Sequence, residues 1–527
     1  MRLVVLSSAG VVLASTVVWV ACSSSGNPTS PAPTPDSGPA ATDAAPSGPF
    51  ALAIPCTDSI ASVYGDPGTL PPTNGAIIKC AKDADIAMSD LLSRVQKDLS
   101  QDDAPATNGG YVGKPFTSGA HVYRILYRTE RGDDAKSPGY SSATVYIPDT
   151  PRAAGKLPMI VGAHGTWGQA GNCPVDEGHT GVQAFVIGDY ENQAFPMVGL
   201  GYPIIMPDLA GYSNFGAAGN PPSGYAQYND VGKSTLDGAR ALAQMFPDDF
   251  SGKVAILGHS QGGHSALSAV AIQPTYAPDV KIAAVATYSP LWLSQRSWGA
   301  ILYTPGSYPM STSPLANAVS IWYHYTHGEL LDGPGHGLDV FAADKQDVIK
   351  KFVANDCEAV GWDGLDAGTE FPDLQAAGST LADFFDPAFA KSIKNASALG
   401  NACPTVDGGV DPVCTKWIGR YLADRPHFTA AVPPMLIEYG DSDDVIDPGR
   451  MACVTERLKQ DKVAYTFCLN PGLGHASTLR HTASYVADWI GSKTLGEAAP
   501  AACAESDANL VDDAGVAIPC TAPPPND

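Results

Sequence analysis

Between residues 120 and 490 the chain alternates short apolar runs with stretches of helical period. The runs are Tyr123–Tyr127, Ala143–Ile147, Met159–Ala163, Ile204–Met206, Val254–Leu257, Ile282–Thr287, Met435–Tyr439 and Ala464–Leu469. Those starting at 159, 254 and 435 are continuous rather than alternating, the pattern of strands covered by helices on both faces of a parallel sheet. The helical stretches between them are Val182–Phe195, Gly232–Phe246, Gln261–Ala271, Gly449–Lys459 and Thr478–Ile490. Such alternation predicts an α/β fold. The pattern stops between Pro290 and Ala430. That insert holds five of the eight tryptophans, Trp292, Trp298, Trp322, Trp362 and Trp417, and reads as a cap placed between two sheet strands. An unrelated second domain is the other reading of the same stretch.

The two ends of the chain follow different rules. Arg2 precedes an uncharged, mostly apolar stretch, Leu3 to Val20, diluted by Ser7, Ser8, Ser15 and Thr16. This is marginal for a permanent membrane span and fits a secretory signal. The stretch closes on Trp19-Val20-Ala21-Cys22-Ser23, which resembles a bacterial lipobox. The resemblance implies acylation of Cys22 as the first residue of the mature protein, although Trp19 stands where Leu, Val or Ile is usual. Plain secretion and an uncleaved anchor remain alternatives. Residues 23–49 contain seven prolines and neither Lys nor Arg, a composition that buries no core and reads as an extended tether. The expected organisation is therefore a signal over 1–21, a tether over 22–49, a discontinuous α/β domain over 50–289 and 431–495, a cap over 290–430, and a C-terminal tail over 496–527 containing Cys503 and Cys520.

Charge and cysteine content narrow the function. With 31 basic and 54 acidic residues the net charge is −23, which argues against a nucleic-acid partner. The 11 cysteines include no CxxC pair, so zinc-type spacing is absent. Setting Cys22 aside leaves ten, an even number that suggests five disulfides in an oxidising compartment. Cys403–Cys414 and Cys453–Cys468, close in sequence, are the expected short-range pairs. His324, His327 and Glu329 do not have His-Glu-x-x-His spacing, and their aromatic neighbours suggest core packing. No metal or other cofactor and no obligate protein partner are expected.

Gly258-His259-Ser260-Gln261-Gly262 follows one predicted strand and opens a predicted helix. In that context G-x-S-x-G forms a turn so tight that only small residues fit at Gly258 and Gly262, and the serine is held out above the sheet edge. On these residues the chain resembles the α/β-hydrolase superfamily over roughly 120–290 and 430–490. The resemblance implies an α/β-hydrolase fold, a mostly parallel sheet with helices on both faces, with a large inserted cap domain. It makes Ser260 the nucleophile and the Gln261 N–H half of an oxyanion hole. The second donor follows His164-Gly165, which places it at the Thr166 N–H; the Thr166 side chain could add a further hydrogen bond, and His164 itself is expected to be structural.

The acid is expected after the strand Met435–Tyr439, where Asp441, Asp443, Asp444 and Asp447 compete. The family's Gly-x-x-Asp pattern falls on Asp443. Asp447 precedes Pro448 and a helical stretch, so it reads as an N-cap. Gly474-His475 matches the position of the base, on a loop after the last strand, and His481 reads as a packing or surface residue. The order Ser260, Asp443, His475 is that of the superfamily.

His164-Gly165-Thr166 with Asn172-Cys173-Pro174, Gly201 to Asp208 with Gly211-Tyr212, and Tyr439 to Asp443 are similar to the secretory lipase family of capped lipases and esterases. The likeness implies hydrolysis of carboxylic or lipid esters through an acyl-enzyme, and it suggests a Cys173–Cys357 disulfide. Three readings of function stay open: a lipase or carboxylesterase, another α/β-hydrolase such as a peptidase or polymer-ester hydrolase, and a surface-bound binding protein with a dead site. The expected location is the bacterial cell envelope, lipid-anchored through Cys22 and plausibly at an outer membrane, or the secreted fraction.

Overall fold

The computed structural model describes residues 50–96, 110–169, 188–212, 220–291, 314–355, 371–398, 402–428, 432–443, 445–512 and 514–520. The signal, the tether with Cys22, the motif at 172–174, Trp292, Trp298, Trp362, Asp444 and the Cys173–Cys357 pair lie outside these residues, as does the first part of the helix expected from 182.

Nine strands form one sheet, in the order β1-β2-β3-β5-β4-β6-β7-β10-β11. They are β1 (Ile77–Ile86), β2 (Ala120–Glu130), β3 (Pro138–Pro148), β4 (Leu157–Ala163), β5 (Ile204–Pro207), β6 (Phe250–His259) and β7 (Lys281–Tyr288), then β10 (Met435–Gly440) and β11 (Tyr465–Asn470). A separate hairpin, β8 (Thr405–Val406) and β9 (Gly409–Val410), lies in the insert. The pairs from β1 to β5 are antiparallel, and those from β5 through β4, β6, β7 and β10 to β11 are parallel. All eight expected strands are present within a few residues. The ninth, β1, was not expected.

The unbroken apolar runs are explained by two cores, one on each face of the sheet. Met159 and Val161 of β4, Val254 and Ile256 of β6, and Met435 and Ile437 of β10 enter one core. The residues between them, Ile160, Ala255 and Leu257, and Leu436, enter the other. Successive side chains point to opposite faces, so a strand buried on both sides has to be apolar at every position.

Two short helices, α1 (Ile60–Val63) and α2 (Met88–Val95), flank β1. Next come α3 (Gly188–Gly199), α4 (Tyr228–Met245) and α5 (Gln261–Tyr276). The insert between β7 and β10 supplies α6 (Pro314–His327), α7 (Gln346–Asn355), α8 (Pro372–Ala377), α9 (Pro387–Ala398) and α10 (Pro412–Ala423). The chain then closes with α11 (Pro448–Gln460) and α12 (His475–Thr494). Helices α4, α5 and α11 bury Leu236, Leu267 and Val454 in the first core. Helices α3 and α12 bury Phe195 and Val486 in the second.

The insert builds a third core of its own, rich in aromatic residues and including Trp322, Phe352, Phe385, Trp417 and Tyr421. Trp322 and Phe352 stack at 5.1 Å. His324 and His327 are fully buried here, among aromatic neighbours such as Trp417 and Tyr323. Their environment is the packing role expected of them. Where the insert meets α4 and α5, Asp424 ties the elements together. Its carboxylate accepts from His327 Nε2, the Tyr323 hydroxyl and the Tyr228 N–H, and its carbonyl accepts from His264 Nε2.

Four disulfides lie within the described residues: Cys56–Cys80, Cys403–Cys414, Cys453–Cys520 and Cys468–Cys503. The Cys403–Cys414 expectation holds. The Cys453–Cys468 expectation is wrong. Cys453 sits in the first core and Cys468 in the second, so the sheet itself stands between them and sequence proximity is irrelevant. Each pairs instead with a cysteine of the C-terminal tail. The tail lies along β11, where the Leu469 N–H donates to the Glu505 carbonyl. At the other edge the segment around Cys56 bridges β1 through Thr57 and Ala81. Both edge strands are thus covered by disulfide-held chain, which removes a template for strand addition.

Candidate active site

The site forms at the C-terminal ends of the parallel strands. Ser260 lies between the last residue of β6 and the first of α5, with φ 54° and ψ −121°. A non-glycine residue adopts this left-handed φ only under local constraint. The constraint is visible in the glycines: a Cβ on Gly258 would fall 2.0 Å from the Gly262 carbonyl oxygen, and one on Gly262 would fall 2.0 Å from that of Ala163. Strand and helix therefore touch backbone to backbone, and the serine is the residue turned outward. Its N–H donates to the Tyr288 carbonyl and its carbonyl accepts from Leu291 N–H, which pins the turn to the end of β7.

Beside this turn, Ala163 of β4 pairs with Gly258 of β6, so the segment 164–166 leaves the sheet next to the serine. His164 is fully buried. Its ring nitrogens lie 2.6 Å from the Gly165 carbonyl and 3.3 Å from the Asp208 carbonyl, which fits the structural role expected of it. Thr166 is half-buried, and its Oγ1 is 2.7 Å from the Tyr225 hydroxyl. Gln261 is the first residue of α5, where the backbone N–H has no partner within the helix. Gln261 thus follows Ser260 directly, and Thr166 lies three residues past Ala163, the β4 residue paired with Gly258.

The aspartates of the loop after β10 have separate roles. Asp443 is buried, 3% exposed. Its Oδ1 accepts from the Val445 and Ile446 N–H groups at 3.0 and 2.8 Å, and its Oδ2 is 2.8 Å from His475 Nδ1. Burial pushes the carboxyl up, but the charge and hydrogen bond of His475 and the Ile446 N–H outweigh it and hold Asp443 below the usual carboxylate range. The buried Ser289 hydroxyl also favours the ionised form, although it lies outside strict hydrogen-bond geometry. Asp447 caps α11, accepting from the Arg450 N–H with Pro448 at the first helical position, as the sequence indicated. Asp441 is exposed and accepts from the Gly472 N–H at 2.6 Å.

His475 is 4% exposed and is the first residue of α12, not part of a preceding loop. The helix starts three residues earlier than its apolar pattern, because Gly474 is extended and donates its N–H to the Ser477 hydroxyl. The glycine before the acid loop has a steric reason as well, since a Cβ on Gly440 would lie 2.0 Å from the Leu473 carbonyl oxygen. His481 is half-buried within α12. The residue preceding the serine, His259, has its ring 4.5 Å from that of His475, tilted by 45°, and contacts the His475 carbonyl through Nε2 at 3.1 Å. This contact joins the serine turn to the histidine. Neither His259 nor Tyr225 was picked out by sequence reasoning, because both act through partners far away in the chain.

Glu438, on β10, is a buried carboxyl outside this constellation. It is 1% exposed and accepts from Asn470 Nδ2 at 2.9 Å. Burial pushes its pKa up to about 8, against a smaller downward effect of Asn470. The folded protein therefore keeps this proton up to about pH 8, whereas the unfolded chain releases it near the ordinary value of 4.5. Between those limits the folded state binds more protons, so stability falls as pH rises and levels off above the upper limit. Glu438→Gln, which mimics the neutral acid, should flatten this slope and raise the Tm above that of the wild type at about pH 8. Thermal melts across the range test this; parallel pH dependences for the two proteins would contradict it.

The sheet order, the serine turn after β6 and the buried aspartate–histidine pair after β10 and β11 fit an α/β-hydrolase fold. Residues 188–291, from α3 through the serine turn, match the model of the secretory lipase family. The fold is similar to that of a hydrolase from Legionella pneumophila, at a TM-score of 0.57 and 15% identity, covering 79% of this chain and 97% of that one. The rice cell wall degrading esterase LipA from Xanthomonas oryzae aligns at 0.57 and 15% identity, over 81% of this chain and 99% of the esterase. Candida antarctica lipase A in its closed state aligns at 0.55 and 17% identity, over 90% and 93%. A search of curated protein sequences gives no significant match. The chain thus has an α/β-hydrolase fold and resembles the secretory lipases.

Proposed function

We propose that the chain hydrolyses carboxylic esters, including lipid esters, with Ser260 as nucleophile, His475 as general base and Asp443 as its orienting acid. The observation that carries this reading is the buried Asp443–His475 contact at 2.8 Å on the same sheet edge as the strained Ser260 turn. Asp443 occupies Nδ1, so Nε2 is the nitrogen left to take a proton. As Ser260 Oγ attacks the acyl carbon, its proton passes to His475 Nε2 and the carbonyl oxygen becomes an oxyanion. The N–H groups of Gln261 and Thr166 receive that oxyanion, at a helix N-terminus whose dipole favours negative charge. Collapse of the tetrahedral intermediate breaks the bond to the alkoxy oxygen, which leaves as the alcohol with the proton from His475. Water then attacks the acyl-enzyme by the same route and releases the acid.

The insert, with its own aromatic core, acts as a cap over this edge. Its helix α6 contacts the 220–227 loop that reaches Thr166. A panel of p-nitrophenyl esters of increasing acyl length, run beside peptide substrates, tests the substrate class. Turnover of esters with no peptide cleavage is the expected result, and cleavage of peptides with esters left intact would move the chain to another hydrolase class.

We further propose that the enzyme is exported and held at the cell envelope through acylated Cys22. Four disulfides support an oxidising compartment, and among the described residues no helix is long and apolar enough to cross a membrane. Several acyl chains anchor stably where one does not. Cys22→Ala should shift the protein from the membrane fraction to the soluble or unprocessed pool and leave its turnover of a soluble ester unchanged. A variant that fractionates and is processed like the wild type would show that export does not use the cysteine.

A further inference from the structure

Tyr225 is 1% exposed and is held from several directions. Its N–H donates to Thr326 Oγ1 of α6 at 3.0 Å, and its ring lies 6.3 Å from that of Trp322 on the same helix. The loop carrying it is fixed by a buried ion pair: both Asp230 carboxylate oxygens accept from Arg131 at 2.8 and 2.9 Å, and Oδ2 also accepts from the Gly224 N–H. The tyrosine hydroxyl therefore has little freedom, and it sits 2.7 Å from Thr166 Oγ1.

We propose that Tyr225 is a positioning residue for the oxyanion hole: its hydroxyl donates to Thr166 Oγ1, so that the threonine's own proton turns to the developing oxyanion as a third donor. The inference deepens the reading of Thr166 given above and rests on it. A threonine hydroxyl has one proton and two lone pairs. Its proton is free for the substrate only when the neighbouring hydroxyl gives rather than receives. A phenol O–H is more acidic than an aliphatic hydroxyl and is the better donor of the two. A donated hydrogen bond also polarises the threonine O–H, strengthening the bond it makes in turn. Because Tyr225 is clamped by α6, the arrangement links the insert to the oxyanion hole, and a misplaced insert turns the donor away.

The test measures kcat and KM on a soluble ester, with kcat expressed per serine titrated by a fluorophosphonate so that unfolded protein is not counted. Thr166→Val should lower kcat by about 10²-fold, the effect of losing one oxyanion donor, and Thr166→Ser should restore it. Tyr225→Phe, which keeps the ring and the backbone bond to Thr326, should lower kcat about tenfold with KM within about twofold, a loss confined to the transition state. The double variant Tyr225→Phe with Thr166→Val should match Thr166→Val alone, since the tyrosine acts only through the threonine. The proposal is overturned if Tyr225→Phe keeps wild-type kcat, or if the losses in the double variant multiply. It is also overturned if Thr166→Val and Thr166→Ser have equal kcat, a comparison that decides the matter even if Tyr225→Phe yields no titratable serine. Failure of the underlying reading looks different: Ser260→Ala would then remain active, or the wild type would turn over no ester.

Discussion

Ser260→Ala should lower kcat for ester hydrolysis by about 10⁶, because the members of a nucleophile–base–acid unit fail together when the nucleophile is removed. Folding should barely change. The serine side chain is 8% exposed, and the turn's anchoring bonds to Tyr288 and Leu291 use its backbone, which alanine retains. Replacement even removes one polar group from a strained site. Paired kinetics and thermal melts check both halves of the expectation. Activity within tenfold of the wild type would show that another residue attacks the acyl carbon.

Asp443→Asn should be nearly as severe, a loss of kcat of about 10⁴. The variant can keep hydrogen bonds from Val445 and Ile446 to its remaining oxygen, but an amide presented to Nδ1 selects the wrong imidazole tautomer and leaves an imidazolium unsupported. Asp447→Asn serves as the control. Asparagine caps a helix as well as aspartate, and among the described residues Asp447 caps α11 and pairs with Arg450. It should leave kcat within about twofold, by the same capping equivalence. Kinetics of the two variants side by side separate the roles; a severe Asp447→Asn with a mild Asp443→Asn would move the acid.

These residues could be read from the sequence for a steric reason. A turn that brings strand and helix backbones together admits only glycine at 258 and 262, so the motif around Ser260 announces its own geometry. The Asp447-Pro448 cap is equally local. The central strands were legible because burial on both faces demands apolar residues throughout, as in β4 and β10. Strand β1 escaped notice because it lies at the sheet edge and carries Lys79, Lys82, Asp83 and Asp85, which break the apolar pattern that marks the interior strands. Long-range partnership was also out of reach. Nothing local shows that Cys453 and Cys468 face opposite cores, or that the tail returns to supply Cys520 and Cys503. The contact of Tyr225 with Thr166 and the ring contact of His259 with His475 depend likewise on the finished fold. His475 itself is proposed through its Gly-His pair, while its place at a helix start was hidden by the polar first turn of α12.

The central claim is that Ser260 is the residue that becomes acylated. Reacting the native enzyme with a fluorophosphonate and mapping the adduct by peptide mass spectrometry tests it most directly. A single stoichiometric adduct on the peptide containing Ser260, lost in Ser260→Ala together with ester hydrolysis, is the predicted result; an adduct on a different serine, or an active esterase that takes up no probe at Ser260, would contradict it.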